Sequence, residues 1–281
     1  MTQRTLLAVM AHPDDESFGP GGTLAKYAAE GVALHVAIAT DGAAGSMEKG
    51  HEVAREQLAA VRTEELAAAV TVLGGTLHRL GYRDSGMTGD PANEDPAAWI
   101  RADEGEAVGK VVKLIRELRP QTIITHDETG GYFHPDHIQC WNITTKAFHA
   151  AGDPAQYPEI GLAPYQPERL YYTAFPNRWV KFFILLLRLR RQDPSKMGRN
   201  QDIDFTRLGV PSRKIHARIN YQAYWEIKRL ASAQHKTQGG GVGFNRWMPV
   251  WLQKWLFGYE TFMRAFPSVP DGFREYDLFA R

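Results

Sequence analysis

The chain has 281 residues, of which 43% are hydrophobic and 23% are charged, and its formal net charge is +1. This length fits one large α/β domain, and the near-zero charge gives no reason to expect a nucleic-acid partner. The single cysteine, Cys140, excludes an intramolecular disulfide and a thiolate-rich zinc site, so any metal ligands must be His, Asp or Glu.

Apolar runs in the sequence are too short for a signal peptide or a membrane span. The stretch at residues 6–11 is shorter than a signal-peptide core. The strongest run, FFILLLRL at residues 182–189, falls well below the roughly 20 residues that a bilayer span requires. We therefore expect a cytoplasmic protein with no stable membrane insertion.

Short apolar runs alternate with helical patterns through residues 1–176. Strands that alternate with long helices indicate βαβ units. The predicted fold is a Rossmann-like, doubly wound α/β fold with a mainly parallel sheet and helices on both faces. The predicted strands are 5–10, 33–40, 76–82, 121–127 and 169–175, and the predicted helices are 22–31, 52–73, 96–118 and 134–151.

The pattern changes after residue 176. We expect residues 177–281 to form a helical and loop extension that shapes the cleft, within a single domain of residues 1–281. The expected parts are a loop at 193–206, a helix at 212–234, a flexible joint at 239–241, and a helix face carrying Trp247, Trp251 and Trp255 at spacings of four.

Two segments of this extension have three interpretations. Residues 180–191 are apolar and then basic, and residues 245–263 are rich in tryptophan. Core packing or a subunit interface is favoured, because aromatic residues at helical spacing usually face a core. A hydrophobic lid for a substrate with an acyl or aryl tail, and attachment to a membrane surface, are the alternatives. The favoured interpretation makes a homo-oligomer a reasonable expectation.

Two clusters of polar residues follow predicted strands. The first is AHPDDE at 11–16, directly after the first strand, and the second is HPDH at 134–137, shortly after the fourth. In doubly wound sheets, ligands bind beyond the carboxyl ends of the strands. His134 and His137 are three residues apart on a predicted helix, so both can face one point.

The residue types in these clusters suit metal-assisted amide hydrolysis. Catalytic zinc typically takes three protein ligands and leaves a position for water. His12, one aspartate and one histidine of the second cluster supply that set, and ferrous iron suits it about as well as zinc. The second carboxylate can take a proton from the water, and the remaining histidine can stabilise the oxyanion or protonate the amine. Either cluster alone could instead be a solvated loop or a capped helix start.

With both motifs intact, the sequence resembles the LmbE-like, or PIG-L-like, N-acetylglucosamine deacetylases. The resemblance covers residues 5–150 in element order and extends more loosely to residue 238. Within the family it is most similar to the mycothiol branch, which contains the deacetylase of mycothiol synthesis and the amidase that cleaves mycothiol conjugates. The similar passages are GGYxHPDH at 130–137, YRDSGM at 82–87 and AxHxTQ at 233–238.

This resemblance implies roles for individual residues. His12, Asp15 and His137 would be the zinc ligands. Asp14 would be the general base that activates the water.

The resemblance also implies groups that contact the substrate. His134 would stabilise the oxyanion or act as a general acid, oriented by Asp136, and Tyr132 would help to polarise the substrate carbonyl. Arg62 and Asp84 would contact the sugar, although Arg62 is equally typical of a solvated helix and Asp84 can cap a turn.

Two further segments of the sequence each have two interpretations. His126 and Asp127 end the fourth predicted strand and have either a role in holding a ligand histidine or a plain structural role. The GPGG turn at 19–22 could bind phosphate at a helix N-terminus or allow close packing, and packing is favoured.

The sequence therefore predicts zinc-dependent hydrolysis of an N-acyl amide, most simply N-acetyl, on a small-molecule amino sugar or its glycoside. The alternative enzymes are an amidase for mycothiol-type conjugates or antibiotic-like glycosides, and a metal phosphoesterase. The alternative outside catalysis is a sugar-binding or metal-binding protein on the same fold. The extension departs from the mycothiol enzymes, so the sequence does not name the acyl group or the aglycone.

Overall fold

The computed structural model describes residues 3–198, 201, 203–240 and 248–280. Its strands form one sheet. They are β1 (Thr5–Met10), β2 (Ala33–Thr40), β3 (Thr76–Tyr82), β4 (Thr122–Thr125), β5 (Arg169–Thr173), β6 (Ala217–Asn220) and β7 (Tyr259–Phe266). The strand order across the sheet is β3-β2-β1-β4-β5-β7-β6.

Helices connect the strands and cover the sheet. They are α1 (Asp15–Phe18), α2 (Gly21–Ala29), α3 (Arg55–Leu73), α4 (Glu104–Leu118), α5 (Gly130–Phe133), α6 (Pro135–Ala150), α7 (Asn177–Leu189), α8 (Trp225–Ser232) and α9 (Val250–Phe257).

The first five strands are parallel, and β1 lies between β2 and β4. Successive side chains of β1 point to opposite faces of the sheet. Leu6 and Met10 pack into a core beneath α2 and α3, whereas Leu7 and Val9 pack into a second core beneath α4 and α6. The predicted Rossmann-like, mainly parallel fold with helices on both faces is therefore confirmed. Because the chain winds outward from β1 in both directions, a crevice forms at the carboxyl ends of β1 and its neighbours.

Two strands that the sequence did not predict extend the sheet. β7 runs antiparallel to both β5 and β6. The predicted helix at 212–234 is wrong over its first half, where β6 alternates buried Ala217 and Ile219 with exposed residues. The alternation in β6 spans only four residues, which is too short to indicate a strand. The partner of β6, β7, lies about forty residues further along the chain, so the pairing has no local signal either.

The helix predicted at 96–118 begins later, at Glu104. The Asp103 carboxylate accepts a hydrogen bond from the Glu106 N–H at 2.8 Å and so caps the helix start. The residues before it form a 3₁₀ turn at Trp99–Arg101.

The apolar-basic run forms most of α7, and the tryptophan segment forms α9. Trp251 and Trp255 are 69% and 66% exposed, so core packing within this chain is wrong for both. Trp247 and Gly241 lie outside the described residues. Within the part of the chain that the structure describes, no helix is long and apolar enough to cross a membrane.

Candidate metal and active site

The loop after β1 carries the first cluster. Its central residue, Asp14, has a φ of 120°, which L residues rarely adopt and which typically costs about 1–3 kcal/mol. Hydrogen bonds hold this conformation: the Asp14 N–H donates to Glu16 Oε2 at 3.0 Å, and the Phe18 N–H donates to the Asp14 carbonyl at 2.8 Å. Strain of this kind collects at functional sites.

The start of α6 carries the second cluster. His134 is its N-cap, and the Asp136 N–H donates to His134 Nδ1 at 3.2 Å. The loop that leads there is held by the Asp127 carboxylate, which accepts from the N–H groups of Thr129 and Gly131 at 3.0 and 2.9 Å. This contact favours the structural interpretation of Asp127.

The three predicted metal ligands lie together at the crevice. His12 Nδ1 is 3.0 Å from His137 Nε2. The Asp15 carboxylate oxygens lie 3.6 Å from His12 Nδ1 and 3.4 Å from His137 Nε2. Tetrahedral zinc with bonds of about 2.0–2.2 Å requires ligand atoms roughly 3.3–3.5 Å apart. The spacing of these donors therefore fits a small divalent metal.

The outer nitrogens of both histidines already have acceptors. His12 Nε2 lies 3.1 Å from the Asp136 carboxylate, and His137 Nδ1 lies 3.0 Å from the Gly130 carbonyl. Since these oxygens can only accept, the ring protons sit on the outer nitrogens. The inner nitrogens, His12 Nδ1 and His137 Nε2, therefore face each other at 3.0 Å, and with both rings neutral their lone pairs can bind one cation. The cluster can hold a metal.

More donors surround this point than the sequence predicted. His126 Nε2 is 3.4 Å from Asp15, and its ring stacks on that of His137 at 3.9 Å. His126 directly follows β4, and its position at the end of a strand is the same signal that indicated the two motifs. The trios spaced to hold an ion include His12, His134 and His137; Asp15, His126 and His137; and His12, Asp84 and Asp136.

The position of Asp136 differs from the predicted one. Its carboxylate lies against His12 and accepts a hydrogen bond from the Ser85 N–H at 2.9 Å. Only its backbone N–H contacts His134. The first turn of α6 directs the Asp136 side chain toward the loop after β1, so the carboxylate orients a predicted metal ligand instead of His134.

The C-terminal extension holds the loop of Asp14. Gln238 Nε2 donates to Asp14 Oδ2 at 2.6 Å. His235 Nε2 lies 2.7 Å from Glu16 Oε1, and both side chains are fully buried. The sequence assigned no role to His235 or Gln238, although both belong to the AxHxTQ passage. A role for them depended on contacts across more than 200 residues.

Burial, followed by the charge of Asp15, raises the pKa of Asp14 to about 8. A divalent cation beside Asp15 would lower the pKa of Asp14, because it favours the carboxylate form.

Tyr132 on α5 and His134 at the start of α6 both lie beside the predicted metal ligands. The Tyr132 ring lies edge-on to His137 and His134, with ring centroids 4.9 and 5.8 Å apart. Burial, followed by the charge of His12, lowers the pKa of His134 to about 4. Because His134 Nδ1 accepts from a backbone N–H, its proton sits on Nε2. Burial also raises the pKa of Tyr132, so its hydroxyl is a donor at neutral pH.

Arg62 and Asp84 are both buried beside the loop after β2. Arg62 donates to the carbonyls of Gly42 and Ser46 at 2.5 and 2.9 Å, so the solvated-helix interpretation is wrong. The Asp84 carboxylate accepts from the N–H groups of Ala44 and Gly86, as in a capped turn, and lies 3.4 Å from His12 Nε2. Both residues hold the loops beside the site, and sugar contact stays a prediction.

The GPGG turn packs closely against the Tyr221 ring, in agreement with the favoured interpretation. A Cβ on Gly22 would lie 2.2 Å from the Tyr221 ring. The N-terminus of α2 is occupied by the Glu260 carboxylate, which accepts from the Gly22 and Thr23 N–H groups at 2.9 and 2.7 Å. A phosphate would have to displace that carboxylate.

Comparison with known families agrees with this site. Residues 7–148 match the PIG-L family, described as GlcNAc-PI de-N-acetylase. The chain belongs to the PIG-L family. The matched range includes both motifs and all three predicted ligands, so the resemblance and the predicted reaction class are confirmed at the level of the family.

Two relatives share much of the chain. A 1D-myo-inositol 2-acetamido-2-deoxy-alpha-D-glucopyranoside deacetylase 1 from Catenulispora acidiphila is 41% identical over 86% of this chain and 77% of its own length. A deacetylase with the same substrate name from Thermobifida fusca is 36% identical over 100% of both chains. Among solved structures, the N,N'-diacetylchitobiose deacetylase from Pyrococcus horikoshii has a TM-score of 0.62, covers 94% of this chain and 84% of its own, and at 19% identity shows a shared fold.

Proposed function

We propose that the chain uses zinc to remove the acetyl group from the nitrogen of a 2-acetamido-2-deoxy sugar in a glycoside. One observation carries the proposal. The inward nitrogens of His12 and His137 face each other at 3.0 Å beside Asp15, with Asp14 on the same loop. A phosphoesterase would be expected to hold two metals, so a content of one metal per chain distinguishes the amidase from that alternative.

His12, Asp15 and His137 would hold the metal. Zinc bound there supplies a Lewis acid for the acetamide carbonyl and for the attacking water. The Asp136 carboxylate keeps the His12 proton on the outer nitrogen, which leaves the inner nitrogen free to bind.

Asp14 takes the proton from the attacking water. Gln238 donates to one Asp14 oxygen, Oδ2, and so fixes the direction of the other. Once protonated, Asp14 can return that proton to the departing amine, so the products are acetate and a free amino sugar.

His134 and Tyr132 stabilise the oxygen of the acetamide as negative charge develops on it. His134 Nε2–H and the Tyr132 hydroxyl are neutral donors, and neutral donors in a fixed position suit an oxyanion. Of the two roles predicted for His134, this arrangement favours the oxyanion donor over the general acid.

The relatives suggest the aglycone. Because chains 36–41% identical to this one are named for the myo-inositol glycoside of N-acetylglucosamine, we propose that glycoside as the substrate. Arg62 and Asp84, which are buried against the loop after β2, would position the part of that loop that meets the sugar.

The test is acetate release from this glycoside and from a methyl N-acetylglucosaminide, using metal-stripped protein with and without added zinc or ferrous iron. We expect metal-dependent release, faster with the inositol glycoside. His137→Gln should abolish it, whereas His149→Gln, an exposed histidine on the same helix, should not. No release with either metal, from protein that binds one metal per chain, would contradict the proposal.

A further inference from the structure

α7 presents an exposed face that is partly apolar. Its exposed positions follow helical spacing, and three of them are Phe182, Leu185 and Leu189, the last of which is 72% exposed. Side chains at such spacings share one side of a helix. The apolar stripe therefore points away from the body of the protein.

α9 adds a second apolar group next to it. Val250, Trp251 and Trp255 are exposed, and the two helices meet where Trp179 of α7 contacts Phe257 of α9, with ring centroids 6.3 Å apart. Within the described residues, six of the ten exposed large hydrophobic side chains lie on α7 and α9. Such a concentration is unusual for a surface that faces only water.

The same segments are basic. Residues 177–192 contain five Arg or Lys and no Asp or Glu, and residues 248–258 contain one Lys and no acid. The whole chain has a formal net charge of only +1, so this charge is local. The five cations are Arg178, Lys181, Arg188, Arg190 and Arg191.

Apolar side chains including tryptophan, flanked by cations on short helices, are typical of binding at an anionic lipid–water interface. A second copy of this chain would bring the same cations together, which opposes association through this face. An anionic bilayer surface complements both properties at once.

We propose that α7 and α9 bind the surface of an anionic membrane. The exposed tryptophans and the apolar stripe of α7 enter the interface, and the arginines contact lipid phosphates. The helices lie on the surface without crossing the bilayer.

This face adjoins the catalytic edge of the sheet. α7 follows β5, whose carboxyl end lies at the same edge as those of β1 and β4. Beyond α7, the Arg207 guanidinium lies over the Phe133 ring at 4.3 Å, next to Tyr132. A membrane bound to α7 would therefore lie beside the mouth of the crevice.

Vesicle sedimentation and size-exclusion chromatography with light scattering test the proposal. The full chain should sediment with vesicles of mixed phosphatidylglycerol and phosphatidylcholine, should not sediment with phosphatidylcholine alone, and should be released by salt. The double variant Trp251→Ser/Trp255→Ser, and separately Arg190→Gln/Arg191→Gln, should each lower binding by about tenfold or more.

The control is Tyr276→Ser, which removes an aromatic ring that is 69% exposed outside these helices and should bind like the unaltered chain. All variants should deacetylate a water-soluble substrate at the unaltered rate, so loss of lipid binding is separable from loss of activity. Absence of binding to anionic vesicles, or binding that the variants leave unchanged, would overturn the proposal. A dimer that the tryptophan variant dissociates, without lipid binding, would also overturn it and assign the face to a second copy.

Discussion

Asp14 combines an uncommon backbone conformation with a buried carboxylate. Its loop is held from one side by Glu16 and from the other by Gln238. These contacts fix where the carboxylate points, and a misplacement of about 1 Å in a catalytic group can cost about 10²-fold in rate. The chemistry expected of the site therefore depends on residues outside the two metal motifs as well as on the motifs themselves.

Asp14→Asn should leave metal binding intact and lower kcat by about 10²–10⁴-fold, because the amide cannot accept the proton of water. Metal content by elemental analysis and acetate release measure the two properties. Asp271→Asn, an exposed aspartate paired with Arg213, is the control. An Asp14 variant with near-normal turnover would contradict the role of Asp14.

The buried pair of Glu16 and His235 should stabilise the protein and position Asp14. Removing one partner leaves a buried group unpaired, so Glu16→Gln and His235→Gln should each lower the free energy of unfolding by about 3 kcal/mol. The double variant should lose less than the sum, and each variant should lower kcat with KM unchanged. Urea unfolding and steady-state kinetics measure this, with Glu226→Gln on α8 as the control. Additive losses would mean that the pair is not coupled.

Elements from the two ends of the chain support each other. Glu260, at the start of β7, accepts hydrogen bonds at the N-terminus of α2 and pairs with Lys228 at 2.6 Å. The helix that follows the metal loop is thus capped by a strand about 240 residues away in sequence.

Glu260→Gln should lower the free energy of unfolding by about 1–2 kcal/mol, because charged acceptors at a helix N-terminus bind more strongly than neutral ones. Glu30→Gln, at the other end of α2, loses only an ion pair with Lys26 and should cost less than about 0.5 kcal/mol. Equal losses from the two variants would argue against the cap.

Neighbouring strands β2 and β3 bring two histidines together, with His35 Nδ1 3.1 Å from His78 Nε2. Burial lowers the pKa of both, and the charge of His78 lowers that of His35 further. The unfolded chain therefore takes up protons first as pH falls through about 6.5, and stability decreases in that direction. His78→Gln should reduce the decrease seen in urea unfolding between about pH 8 and about pH 5.5. His51→Gln, an exposed histidine, should not.

For the whole molecule, the sequence was informative where a signal is local. β1 to β5 each carry a compact apolar run followed by a helical pattern, and AHPDDE and HPDH hold all three predicted ligands. β6 and β7 escaped prediction because they pair with each other across about forty residues and are short or mixed in polarity. The contacts of His235, Gln238 and the Asp136 carboxylate also join residues more than 120 apart in sequence, so no local pattern indicated them.

Metal should stabilise the whole fold, because the cluster places histidine nitrogens and carboxylate oxygens where one cation can bind them all. Adding zinc to stripped protein should raise the free energy of unfolding by about 2.7 kcal/mol at a free concentration about 100-fold above its Kd. Thermal or urea unfolding measures the change. His12→Gln should remove it and His149→Gln should retain it. If added zinc leaves the free energy of unfolding of the stripped protein unchanged, that result would argue against a metal at this cluster.

The hydrogen bonds from His235 and Gln238 back to the loop after β1 also set an order of events during synthesis. A nascent chain has exposed both motifs once residue 137 has left the ribosome, but the partners that fix Asp14 are made about a hundred residues later. The emerging chain can therefore gather the metal ligands well before its base is in position. Hydrolysis would begin only when the C-terminal part has folded back onto the first loop.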